Sequence, residues 1–106
     1  MTKDSVDKTQ EEIIEEIAKA LGHSGDILEE VLARLEALGR EMDAARDARE
    51  YNSRVEEFNT LRREAIRRKE MLMIHREAIG VRKHRYLDIY YPIPCKRSPK
   101  PVNGHE

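Results

Sequence analysis

DAREYNSRVEE, residues 47–57, is the stretch on which the fold turns. It holds no Gly and no Pro, so nothing in it forbids one continuous helix through the middle of the chain. Two features argue for a reversal instead. The apolar seam on its N-terminal side stops at Ala45, and Ser53 with Glu56 has the Ser-x-x-Glu spacing of a capping box, which opens a new helix. We therefore expect a turn across residues 47–53 with a long helix on either side.

The helix before the turn is expected over residues 27–49. Its apolar positions, Leu28, Val31, Leu32, Leu35, Leu38, Met42 and Ala45, alternate steps of three and four, the spacing of a bundle or coiled-coil seam. Asp26 with Glu29 suits its N-terminus. Gly39 lies inside it at a propensity cost of about 1 kcal/mol, which points to a close approach by another helix. Upstream, Thr9 and Glu12 suggest a helix start, and Ile13, Ile14, Ile17 and Leu21 mark its apolar face. Gly22 suits a helix end and GHSGD a tight loop, so a separate short helix is expected over residues 10–21.

After the turn, Phe58, Ala65, Leu72, Ile79 and Tyr86 recur every seven residues, with Ile66, Met73 and Leu87 one place further on. This series predicts a helix over residues 54–90 in which Gly80 is a weak point rather than an end. Pro92 sets the firm stop. Residues 92–106 hold all four prolines and little apolar mass, so they read as an extended or disordered tail behind a single helical domain, residues 1–91. The expected fold is all-α: an antiparallel hairpin of two long helices with a short N-terminal helix, dimerising into a four-helix-type bundle. Such a core has one Phe and no Trp, and helices from a second chain would enlarge it.

The 106 residues carry a net charge of only −1, but it is unevenly placed. Residues 1–60 have 8 Lys/Arg against 16 Asp/Glu, a net of −8, and residues 61–106 have 12 against 5, a net of +7. Arg62, Lys69, Arg76 and Lys83 occupy one heptad position along the basic helix, with Arg68, His75 and Arg82 beside them. Glu29, Glu36, Asp43 and Glu50 occupy one heptad position along the acidic helix. Two such edges can select partner, register and orientation, within one chain or between chains.

The chemistry of catalysis is missing from the pattern. Cys95 is a lone thiol beside proline with no ordered base, and no phosphate-binding glycine loop or nucleophile elbow occurs. His84 and Asp88, four apart, give two metal ligands at most, with His75 further back. The clustered Glu11, Glu12, Glu15 and Glu16 read as a wet helix face. Neither an enzyme nor a cofactor is therefore expected. The single cysteine, the polar N-terminus and a longest apolar run of four residues, Met71–Ile74, lead to the expectation of a cytoplasmic protein without a membrane span.

What remains is a helical interaction module, binding a second copy of itself or another helical protein. Met71 and Met73, as adaptable apolar contacts, and Tyr86, Tyr90 and Tyr91, at the end of the basic helix, are its candidate partner-binding residues. The alternative is a nucleic-acid surface made of Arg62, Lys69, Arg76, Arg82, Lys83 and Arg85, extended by the basic tail. The interleaved Glu64, Glu70 and Glu77 argue against it. Ser98-Pro99 is also a possible target of a proline-directed kinase, though such dipeptides are common by chance.

Overall fold

The computed structural model describes residues 3–102 as four helices. These are α1 (Lys3–Asp43), α2 (Ala48–Asn52), α3 (Val55–Ala78) and α4 (Arg85–Tyr90). Long α1 packs against α3, and the reversal between them carries the one-turn helix α2. The turn therefore falls close to where the end of the seam placed it, but its chemistry differs from expectation. Asp47 is the residue that opens a helix, its carboxylate accepting from the Glu50 N–H at 2.9 Å while Glu50 Oε2 accepts from the Arg46 N–H at 3.0 Å. Ser53 closes α2 instead of opening α3, its hydroxyl donating to the Glu50 carbonyl at 2.7 Å. Two cap patterns, Asp47-x-x-Glu50 and Ser53-x-x-Glu56, stand in one short stretch, and the first is the one satisfied.

The core forms where both helices present their seams. From α1 come Leu28, Val31, Leu35, Leu38 and Met42; from α2 and α3 come Tyr51, Val55, Phe58, Leu61, Ala65 and Leu72, with Leu87 added by α4. Leu32 and Ala45 sit half-buried at its margin. Ser24 Oγ lies 3.0 Å from His75 Nδ1, which sets the antiparallel register. Counting along both helices from that pair, the last residue of α3, Ala78, stands beside Leu21.

α1 is unbroken where a loop was expected at GHSGD. The reason lies in the phase of the seam. Ile14, Ile17, Leu21, Ser24, Leu28 and Val31 alternate threes and fours without a slip, so one helix keeps them all on one face. Each glycine costs such a helix only about 1 kcal/mol, too little to break it at Gly22 or Gly25.

Gly80, in contrast, is a true terminator, and the expected continuous helix over 54–90 is divided there. It adopts φ +92°, its N–H donates to the Glu77 carbonyl and the Val81 N–H to the Arg76 carbonyl, both at 3.0 Å. This pair of bonds is the Schellman motif, which satisfies the last carbonyls of α3. The heptad that ran on to Tyr86 is thus spread over two helices, and it is Leu87, one place later, that is buried.

With a Cα radius of gyration of 20.3 Å and extents of 82 × 20 × 16 Å, the molecule is a rod. A compact chain of this length would have a radius of gyration near 13 Å. It exposes 8117 Å², where a compact protein of its mass exposes about 6,100 Å². Much of the rod's length is α1 alone, because residues 3–20 run on past the end of α3 for about 27 Å.

Residues 92–102 have no regular secondary structure, and they return along the hairpin towards the turn. Residues 103–106, the rest of the expected tail, lie outside the described residues.

Candidate interaction surface

Two places on the rod concentrate features beyond a helical core. One is the end far from the turn. Among the described residues, the large apolar side chains left exposed are Ile13, Ile14, Met71, Ile74, Ile79, Tyr86, Ile89 and Tyr90 at that end, and Val102 elsewhere. Ile13 is 53% exposed, Ile14 65%, Ile74 59% and Tyr90 61%, whereas Tyr51 in the core is 7% exposed. Ile14 and Ile17 continue the α1 seam, but α3 has already ended at Ala78, so the seam has no opposite helix there.

Two candidate partner residues, Tyr86 and Tyr90, meet near this end. The Tyr86 and Tyr90 rings stack with centroids 4.2 Å apart, and the Arg76 guanidinium lies 5.4 Å over Tyr86. Met71 is exposed on α3. Tyr91 and Met73 stand apart from them. Tyr91 is half-buried, with its hydroxyl over Gly25, and burial together with the nearby Glu29 charge raises its pKa above the ordinary phenol value. Met73 lines a cleft of about 240 Å³ with Ile66, Leu87 and Ile93. That is below the roughly 300–1,000 Å³ of small-molecule sites, so the cleft reads as imperfect packing between α3 and α4.

The second place is the groove where the C-terminal segment lies. Arg62 Nε donates to the Pro94 carbonyl at 2.7 Å, and Lys69 Nζ to the Tyr91 carbonyl at 2.9 Å. Lys69 also sits 2.9 Å from the Asp88 carboxylate. Asn59 and Asn52 each grip one residue by both backbone groups. The Asn59 amide donates to the Arg97 carbonyl at 2.8 Å and accepts from its N–H at 3.0 Å; Asn52 treats Lys100 alike, at 2.8 and 2.7 Å. From Tyr91 to Arg97, six residues cover the rise from Lys69 to Asn59, about 15 Å of helix, so the segment advances about 2.5 Å per residue and is close to extended.

Arg97 is the side chain this groove receives. Its Nη1 and Nη2 donate to the two Asp43 carboxylate oxygens at 2.7 and 3.4 Å, and its guanidinium lies 4.8 Å from the Phe58 ring centre. Gly39 makes room: a Cβ there would stand 3.1 Å from Arg97 Nη2. The close approach expected at Gly39 is thus by an arginine, not by a second helix backbone. The hydrogen bond from Arg97, against some desolvation, holds the Asp43 carboxyl below its ordinary pKa. The same pairing raises Arg97.

These contacts redirect the charge design. Among the described residues no ion pair joins the acidic edge Glu29, Glu36, Asp43, Glu50 directly to the basic edge Arg62, Lys69, Arg76, Lys83. The C-terminal segment lies between them, with its carbonyls on Arg62 and Lys69 and its Arg97 on Asp43. Arg76 is also turned inward, donating to the Lys83 carbonyl at 3.4 Å, whereas the side chains of Arg82, Lys83 and Arg85 are exposed. Arg97, Asn52 and Asn59 were not singled out from the sequence, where two asparagines seven residues apart were the one signal that pointed to them.

The candidate ligands His75, His84 and Asp88 each meet a different partner. His75 meets Ser24, His84 Nε2 lies 3.4 Å from Glu77, and Asp88 meets Lys69. Among the described residues no group of three or more His, Cys, Asp or Glu could hold a metal ion, and no helix is long and apolar enough to cross a membrane. Comparison with protein-family models, with curated proteins and with solved structures found no match.

Proposed function

We propose that this chain is a non-enzymatic helical interaction module that self-associates through the far end of its hairpin. The observation that carries this reading is the gathering of exposed Ile, Met and Tyr side chains at that end, beside a seam that outruns its partner helix. An antiparallel pair of hairpins, arms overlapping, lets each α1 continue the other's seam. Where the arms overlap, one helix from each copy packs antiparallel against the other, and the contact is isologous as a two-fold dimer requires.

Charge supports the same arrangement. Residues 9–21 of the arm carry Glu11, Glu12, Glu15 and Glu16 against Lys19, a net of −3, and residues 79–85 carry Arg82, Lys83 and Arg85, a net of +3. In the antiparallel pair the arm of one copy passes the basic loop of the other, which steers the encounter.

The test is a solution mass by light scattering across protein concentration, for the unaltered chain and for an Ile13→Glu/Ile14→Glu chain. A dimer that becomes a monomer at unchanged helicity supports the reading; a monomer throughout ends it.

A nucleic-acid partner is the second reading, favoured by the exposed Arg82, Lys83 and Arg85. It is weakened because Arg62, Lys69 and Arg76 are engaged within the chain. A salt-dependent gel shift abolished by charge reversal of the three exposed residues would establish it.

A further inference from the structure

We infer that the groove holding residues 91–100 is a binding site for an extended peptide segment bearing an arginine, and that the chain's own C-terminal segment is its exchangeable occupant. This goes beyond the far-end surface and stands on different residues, so either reading can fail alone.

The contacts are of two kinds. Asn59, Asn52, Arg62 and Lys69 address only backbone groups of the occupant. Such bonds are indifferent to side-chain identity and need only a chain that is nearly straight. Asn52 and Asn59 are seven residues apart and their two targets three apart. Asn52 grips its target from the end of α2 and Asn59 from within α3, each by the same pair of backbone bonds.

One position reads a side chain. The Asp43 carboxylate, the Phe58 ring and the gap over Gly39 receive a guanidinium, whose planar fork suits the two carboxylate oxygens in a way an ammonium cannot. Three residues on, Lys100 Nζ lies 4.0 Å over the Tyr51 ring, a looser preference for a second cation. The groove thus selects an extended Arg-x-x-Lys segment.

Exchange is built into the connection. Residues 92, 95, 96 and 98–102 are exposed, and this stretch adds only Ile93 and the preceding Tyr91 to the margin of the core. Its contacts are those a competing peptide would reproduce. The resident segment competes through its high effective concentration, so a partner needs either a tighter segment or a loosened Arg97.

The probe is a fluorescein-labelled peptide of residues 90–102 carrying Cys95→Ser, titrated by anisotropy into full-length chains. Saturable binding to the Arg97→Ala chain, at least tenfold tighter than to the unaltered chain, is expected. The same peptide with its own arginine replaced by alanine should bind at least tenfold more weakly, and so should the original peptide when Asn59→Ala is added to the Arg97→Ala chain. Absence of saturable binding, or equal binding by the peptide without arginine, overturns the inference. If Arg97→Ala unfolds the chain, Arg97→Lys is read in its place. Unfolding of both overturns it too, because the segment would then be a structural part of the core.

Discussion

Arg97 reaches back fifty-four positions along the chain to Asp43, with Nη1 2.7 Å from Oδ1, and in doing so it ties the C-terminal segment to the last turn of α1. An acidic residue expected to face the basic edge of a neighbouring helix is met by an arginine from a stretch expected to lie free.

That pairing predicts acid sensitivity. Asp43 has a folded pKa below its ordinary value because Arg97 hydrogen-bonds its charged form. A lowered folded value means that its contribution is complete at neutral pH and is lost as pH falls through that value, below about pH 4. The C-terminal segment should therefore lose amide protection in that range, read by hydrogen exchange at residues 97–100. Asp43→Asn should remove the acid step and speed tryptic cleavage after Lys96 at neutral pH.

Gly39→Ala sets two effects against each other. Helix propensity favours alanine by about 1 kcal/mol. The new Cβ would sit 3.1 Å from Arg97 Nη2 and 3.4 Å from a Phe58 ring carbon, so the guanidinium must shift by a few tenths of an ångström. We expect a higher melting temperature together with faster cleavage after Lys96. A fall in both quantities would show that Arg97 contributes more to the core than Gly39 costs.

Gly22 and Gly80 should respond oppositely to the same change. Neither has an atom within 4 Å of an added Cβ, so only backbone conformation differs. Gly22→Ala lies inside α1 and should stabilise by about 0.5–1 kcal/mol. Gly80→Ala at φ +92° should destabilise by about 1–2 kcal/mol. Chemical denaturation of the two variants side by side checks both signs.

Arg68 shares its heptad position with Leu61 in the α3 seam, and its Nε is buried without a hydrogen-bond partner, Glu64 being 4.0 Å away. Arg68→Leu should stabilise the hairpin by about 1 kcal/mol, since an unsatisfied polar atom is exchanged for packing. An unchanged or lower denaturation midpoint would mean that the arginine stem already fills the seam as well as leucine does.

Much of the fold is legible in the sequence. The seam Leu28, Val31, Leu35, Leu38, Met42 is the α1 half of the core, and the end of that series at Ala45 located the reversal, because burial at steps of three and four is a property of helix geometry alone. Local punctuation was less reliable. Gly22 resembled an end and Gly80 an interior position, and they proved the reverse: helix interiors absorb one glycine, whereas the left-handed residue of a Schellman motif has almost no substitute. Of the candidate contact residues, Tyr86, Tyr90 and Met71 are exposed towards one end, while Tyr91 and Met73 are drawn inward by α4 and the segment beyond it.

The sequence by itself determined that this chain is helical, where it reverses and which face of each long helix is apolar, since all three follow from short-range periodicity. Only the tertiary structure decided what the charges are for. Arg62, Lys69 and Asp43 find partners 32, 22 and 54 residues away in an extended segment with no periodicity of its own. Such contacts leave no mark in spacing, because an extended chain gripped by its backbone places little constraint on which residues it contains.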